Sequence, residues 1–246
     1  MNVGALLLLM TVLAGSSAAF GEALPCPGTS PLSGLVALAD TGCTLGDKLF
    51  SNFRLDTTGG TRTVDASLID VLTSTTPQGN EVLTFAGGIS ATAGTLTAII
   101  GYTVSTLSNA ALIEDLTLTV GPVSALDLGH GSSLTVNEYA CIGVNIACTA
   151  NNADFILNAP PGGTHHSVFA PPVSNLSVAK RVDITASALS VVELSSLTNE
   201  VSQALPSQVP EPATGAMLVV ELAVAAGLGN GRWRGNPIRF ASHQRR

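Results

Sequence analysis

Charge is scarce in this chain. Only 11% of its residues are Asp, Glu, Lys or Arg, and aromatic residues make up 4%. Basic residues are scarcest of all away from the ends: residues 20–209 hold 5 basic against 15 acidic side chains, a net charge of about −10. Such a surface repels nucleic acid and anionic lipid, which removes both as partners for this part of the chain. The single Trp, Trp233, lies near the C-terminus, and Tyr102 and Tyr139 are the only tyrosines. A strong stacking platform for sugar rings is therefore not expected.

Motifs that would announce an enzyme are also missing. There is no Gly-x-Ser-x-Gly elbow, no His-Glu-x-x-His and no phosphate loop, and no Ser-x-x-Lys pair is singled out as a nucleophile. Gly227-Leu228-Gly229-Asn230-Gly231 has the wrong spacing for a dinucleotide site. Without an Asp-x-Asp-x-Asp run, no cofactor is expected; Ca²⁺ held by loop-end oxygens is the one ion the composition leaves room for. His165 and His166 are adjacent, so on a strand they point to opposite faces and cannot share a metal. His130 lies between two glycines and reads as a turn residue. Carboxylates are numerous enough that spacing alone selects no pair for glycosidic chemistry. Asp65 and Asp70 have opposite parity, and Glu114-Asp115 open a strand facing solvent or a turn. No catalytic or metal-binding residue is assigned.

Four cysteines remain, Cys26, Cys43, Cys141 and Cys148, with no Cys-x-x-Cys spacing. That disfavours a thioredoxin-like role and a zinc site, and an even number suits structural disulfides in an oxidising compartment. Four cysteines allow three pairings. Cys26 with Cys43 and Cys141 with Cys148 are the nearest in sequence.

What the chain does contain is β-pattern. Residues 63–72, 81–86, 95–107 and 112–120 are runs of β-branched and apolar residues, and 133–140 and 178–197 add more. Leu116-Thr117-Leu118-Thr119-Val120 alternates strictly, predicting leucine inward and threonine outward. Gly59-Gly60, Pro77-Gln78-Gly79-Asn80, Gly87-Gly88 and Gly121-Pro122 read as turns between the runs. Phe50 and Phe53 cannot share one face of an ideal strand, so a bulge or turn is expected near Asn52. Residues 143–172, rich in Asn, Gly and Pro, read as a long excursion at one end of the fold, where binding loops usually sit. The fold expected is all-β, an antiparallel β-sandwich of jelly-roll-like form.

Both ends read differently from this body. Residues 1–19 carry an apolar run from Val3 to Leu13 followed by Ser17-Ala18-Ala19, the pattern of a secretory signal peptide with cleavage after Ala19. At the other end, Val209-Pro210-Glu211-Pro212 is kept extended by its two prolines. An apolar segment and then Arg232-Trp233-Arg234 follow it, and positive charge stays on the cytoplasmic side of a membrane. The reading is a body at 20–205, a spacer and motif at 206–212, an apolar transmembrane helix at 213–231 and an Arg-rich cytoplasmic tail at 232–246.

This tripartite tail resembles the PEP-CTERM sorting signal of bacterial exported proteins. Gly42-Cys43-Thr44-Leu45-Gly46-Asp47-Lys48-Leu49-Phe50-Ser51-Asn52-Phe53 resembles a stretch that opens the β-rich bodies of many such proteins, and residues 95–120 resemble their sheet core. The resemblance implies recognition by an exosortase through Pro210, Glu211 and Pro212, with Arg232 and Arg234 as the stop signal. It also implies a transient membrane anchor, then residence at the cell surface or in the extracellular matrix. The expected function is a non-enzymatic structural or adhesive role in exopolysaccharide or biofilm. The competing expectation is an exported carbohydrate-binding module or glycan hydrolase on the same scaffold.

Overall fold

The computed structural model describes residues 23–59, 64–107, 111–125 and 131–204. The expected signal peptide, Pro210, Glu211 and Pro212, the apolar segment 213–231, Arg232, Arg234 and His130 all lie outside the described residues. Among the described residues, no helix is long and apolar enough to cross a membrane.

The described chain is almost all strand. Its elements are β1 (Leu24–Pro25), β2 (Thr29–Pro31), a short α1 (Leu32–Val36), β3 (Cys43–Leu45), β4 (Lys48–Gly59), a 3₁₀ turn (Ala66–Leu68), β5 (Asp70–Thr75), β6 (Glu81–Thr106), β7 (Leu112–Val120), β8 (Val123–Ala125), β9 (Ser133–Ile142), β10 (Phe155–Ala159), β11 (Thr164–Val173) and β12 (Asn175–Ala204). All strands join one hydrogen-bonded sheet, in which every pairing is antiparallel except the two-residue contact of β1 with β3.

Two very long strands explain how one sheet encloses a core. β6 and β12 pair along almost their whole lengths, Asn175 opposite Ser105 at one end and Val201 opposite Glu81 at the other. Tyr102 and Phe85, both on β6, stack with ring centroids 6.0 Å apart. At about 3.3 Å per residue a straight strand would hold them some 56 Å apart, so β6 must fold back on itself, and β12 with it. One layer is then β3, β4, residues 94–106 of β6, residues 175–186 of β12, β9 and β10. The facing layer is β2, β5, residues 81–92 of β6, residues 191–204 of β12, β7, β8 and β11.

The bend sits where the register slips. Between the halves, pairing jumps from Ala186–Gly94 to Val191–Thr92 and again between Leu194 and Ser196. Gly87 and Gly88, expected as a turn between two strands, instead lie inside β6 with φ of 72° and 71°. A side chain on Gly88 would meet the Leu68 carbonyl. The glycines therefore bend a continuous strand without ending it, the work of a bulge.

Other expectations are met residue by residue. Phe50 and Phe53 are both buried because the register of β4 against β6 shifts between Ser51 and Arg54, with Asn52 at φ 54°. In β7, Leu116, Leu118 and Val120 face the core and Thr117 and Thr119 do not. The long excursion expected over 143–172 is not formed: only 143–154 and the short turn 160–163 are loop, and the rest forms β10 and most of β11, which extend opposite layers. Pro, Asn and Gly hide these strands in the sequence, but they lie at sheet edges, where proline costs no ladder bond. Phe155 and Phe169, 4.6 Å apart, pin the two together.

Both disulfides are closed and pair the nearest cysteines, Cys26–Cys43 and Cys141–Cys148, leaving none free. They indicate an oxidising, extracellular environment. The first ties the N-terminal strands to β3; the second clasps the loop after β9 against Ala179, Tyr139 and Ile99 on the outer face of its layer. Loop-closure entropy predicts that opening Cys26–Cys43, which spans 17 residues, destabilises the body by about 3 kcal/mol. Opening Cys141–Cys148, which spans 7 residues, should cost about 2 kcal/mol. Urea unfolding of the two Cys→Ser pairs measures both.

Candidate functional site

The features with chemical potential lie in the core, and strand parity puts them there. Leu134, Val136, Glu138 and Ala140 share the inward face of β9; Leu176, Val178, Lys180, Val182 and Ile184 share that of β12. Lys180 and Glu138 are direct cross-strand partners and both are fully buried. Asn199, inward between Leu197 and Val201, faces them from the opposite layer. Tyr102 points in from β6 among Phe50, Phe53 and Phe85.

These four side chains form one closed network. Lys180 Nζ donates to Glu138 Oε2, and Asn199 Nδ2 donates to Glu138 Oε1 at 3.0 Å. Asn199 Nδ2 also donates to the Thr117 carbonyl at 3.1 Å, and Tyr102 Oη donates to Asn199 Oδ1 at 2.6 Å. The Thr117 carbonyl can only accept, which fixes which end of the amide carries hydrogen. Burial pushes the Lys180 ammonium down from its ordinary value, with the Glu138 carboxylate opposing. Burial, then the Glu138 charge, holds the Tyr102 phenol well above its usual range. Breaking one partner of such a set strands the others in low dielectric. Each member sits at a position where alternation calls for an apolar residue. That break in parity is the signal the sequence carries for them.

A second buried cluster sits at one end of the sandwich. Lys48, opening β4, bonds Asp47 and donates to Gln203 Oε1 at 3.1 Å. Glu81, opening β6, is buried beside them with neither carboxyl oxygen hydrogen-bonded. Its pKa is pushed up to about 7, chiefly by burial, with Lys48 pulling it down and Asp47 pushing it up. Gly46, at φ 58°, leaves the space this carboxyl occupies; any Cβ there would run into it. The Gly46-Asp47-Lys48 triplet is thereby a packing unit that closes the end of the core.

Among the described residues, a cleft of about 450 Å³ opens between the turn after α1 and the disulfide loop. It is lined by Asn52, Phe53 and Arg54 of β4 together with Ala39 and Asn145. The Arg54 side chain lies across Gly101, where a Cβ would overlap the guanidinium. Its nearest carboxylate, Asp56, is 4.0 Å away and largely exposed. Of the other described cations, Lys48 and Lys180 are buried and Arg181 is held by Asp183 at 2.8 Å. Arg54 is thus the accessible positive charge least neutralised among the described residues.

The remaining candidates do not converge. His165 Nδ1 faces the backbone of Asn158, while His166 Nε2 lies 3.2 Å from Asp115 on β7, so the two diverge as alternation requires. Asp65 caps the 3₁₀ turn through Ser67 N–H, which lowers its pKa. Ser177 and Lys180 have Ser-x-x-Lys spacing, but i and i+3 on a strand oppose each other: Ser177 Oγ donates to Gly143 in the loop. Among the described residues, no group of three or more His, Cys, Asp or Glu could hold a metal. Tyr102 is buried and Tyr139 lies under the disulfide loop, so neither forms a sugar platform.

Glu81 makes stability depend on pH. Its folded pKa, about 7, exceeds its ordinary 4.5, so the fold holds the proton more tightly than the unfolded chain does. The stabilisation is fully present below 4.5 and is lost as pH rises through about 7. Tm should therefore fall across this window, and Glu81→Gln should flatten the decline. Gly46→Ala should lower Tm at every pH, by several degrees. Calorimetry across the window checks all three.

No protein-family model matches the chain, and no curated protein matches it. Among solved structures it is similar to TmCBM61 in complex with beta-1,4-galactotriose, at 8% identity and a TM-score of 0.27, covering 61% of this chain and 88% of that one. A likeness so distant carries nothing about ligand.

Proposed function

We propose that this chain is an exported bacterial protein, sorted through a PEP-CTERM signal by an exosortase and retained at the cell surface or in the extracellular matrix. Its jelly-roll-like body then serves a non-enzymatic, structural or adhesive role in exopolysaccharide. The observation that carries the reading is the pairing of all four cysteines in two disulfides, which belongs to an oxidising compartment. The Pro210-Glu211-Pro212 tail and the Gly42–Phe53 stretch supply the sorting half of the proposal. The test is peptide mapping by mass spectrometry of the protein from membrane and secreted fractions of its host. The expected mature C-terminus lies near Pro210 and is lost on deletion of the exosortase; an intact Arg246 in both fractions would sink the sorting reading.

The alternative, glycan binding, is favoured by the cleft at Arg54. A guanidinium laid beside two carboxamides suits a saccharide bearing carboxylates, since it can pair them bidentately. Co-sedimentation with acidic matrix polysaccharide should drop about tenfold in Arg54→Ala, the effect of losing a charge-assisted bond. Equal binding by the variant would remove the cleft from consideration, and shortening of the polysaccharide would indicate a hydrolase.

A further inference from the structure

The buried network goes beyond what a structural ion pair requires. We propose that Lys180 and Asn199 become joined by an intramolecular amide bond, formed by the folded protein itself with Glu138 carrying the proton.

Every part such a reaction needs is in place. The nucleophile is the Lys180 amine, and the apolar surroundings that disfavour its charged form favour the free amine. The electrophile is Cγ of Asn199, whose carbonyl oxygen receives the Tyr102 hydroxyl at 2.6 Å. That donor is aimed where negative charge grows in a tetrahedral intermediate. Glu138 touches both reacting nitrogens: Oε2 takes the Lys180 amine, and Oε1 lies 3.0 Å from Asn199 Nδ2. One carboxyl therefore bridges the attacking and the leaving group. The fold holds both within two hydrogen bonds of each other, which replaces a bimolecular encounter by local geometry.

The step balances without any added reagent. Inside the core the pair shifts its proton from Lys180 to Glu138, leaving a free amine and a carboxylic acid. Lys180 Nζ attacks Asn199 Cγ, and the carbonyl electrons move onto Oδ1, which Tyr102 stabilises. Glu138 delivers the proton it holds to Nδ2 and then accepts the proton released by Nζ. The Cγ–Nδ2 bond then breaks and ammonia leaves. The product is a Lys180–Asn199 amide, one ammonia is released, and Glu138 is regenerated.

The bond would join the two halves of β12 across the bend, 19 residues apart in the chain, and so link the two layers. Unlike a disulfide, it would survive a change in redox conditions.

Intact-mass measurement of the purified full-length protein, disulfides reduced, tests the proposal. The expected mass is lower than the sequence mass by one ammonia, and proteolysis should yield a branched species in which the peptide containing Lys180 is joined through it to Asn199. Glu138→Gln, which keeps the shape of the side chain, should restore the full mass in a protein that circular dichroism shows folded. Lys180→Met should do the same. A full sequence mass in the folded wild type would overturn the proposal. So would loss of water with Lys180 joined to Glu138, or loss of ammonia in a linear peptide where Asn199 has cyclised on its own backbone. A cross-link persisting in Glu138→Gln would overturn the role given to Glu138.

Discussion

The whole body depends on the pairing of β6 with β12. Each is long enough to serve both layers, and each must bend in the same place for the layers to close. The bend is stored in the backbone at Gly87 and Gly88, in Ala93 and Gly94 with φ of 46° and 128°, and in the two register slips of β12. Because both strands turn together, their ladder is interrupted only locally, and the remaining strands add to one half or the other. A change that straightened either strand would separate Tyr102 from Phe85 and Asn199 and expose both inner faces.

Polar groups are buried at the places where that closure must be specific. Hydrophobic burial is non-directional and would accept several registers of one layer over the other. Tyr102, Asn199, Glu138 and Lys180 accept only one, because a one-residue slip turns each side chain to the opposite face and strands its partners. Lys48 and Glu81 make the same demand at the end of the sandwich, less completely, since the Glu81 carboxyl stays without a hydrogen bond. Burial of that carboxyl is the main reason Glu81 responds to pH near neutrality.

Much of the fold was legible in the sequence, and the failures share a physical cause. Alternation in Leu116–Val120 and the clash of parity between Phe50 and Phe53 are local facts, and both gave the right structure. Gly87-Gly88 read as a turn because glycine at positive φ serves turns and bulges alike; only the partner strand, distant in sequence, decides between them. β10 and β11 were hidden because edge strands tolerate the Pro, Asn and Gly that break central ones. The buried network was visible in principle: Glu138, Lys180 and Asn199 each interrupt an apolar parity series. What the sequence could not show is that β9 and the two halves of the bent β12 bring those interruptions to one point.

Low charge takes on a different meaning once the cations are located. Lys48 and Lys180 are enclosed, Arg181 is neutralised by Asp183, and Arg54 lies flat on the sheet over Gly101. The few positive charges described are thus spent inside the fold or held against it. A chain so low in charge has little to attract a strong charged partner and few long side chains whose ordering would oppose close packing. Cohesion comes instead from the apolar core, the two disulfides and the sealed polar network, which act within the chain. An extracellular module arranged this way keeps its shape through internal links, and Arg54 in its cleft stands out because it is the described cation least committed to that task.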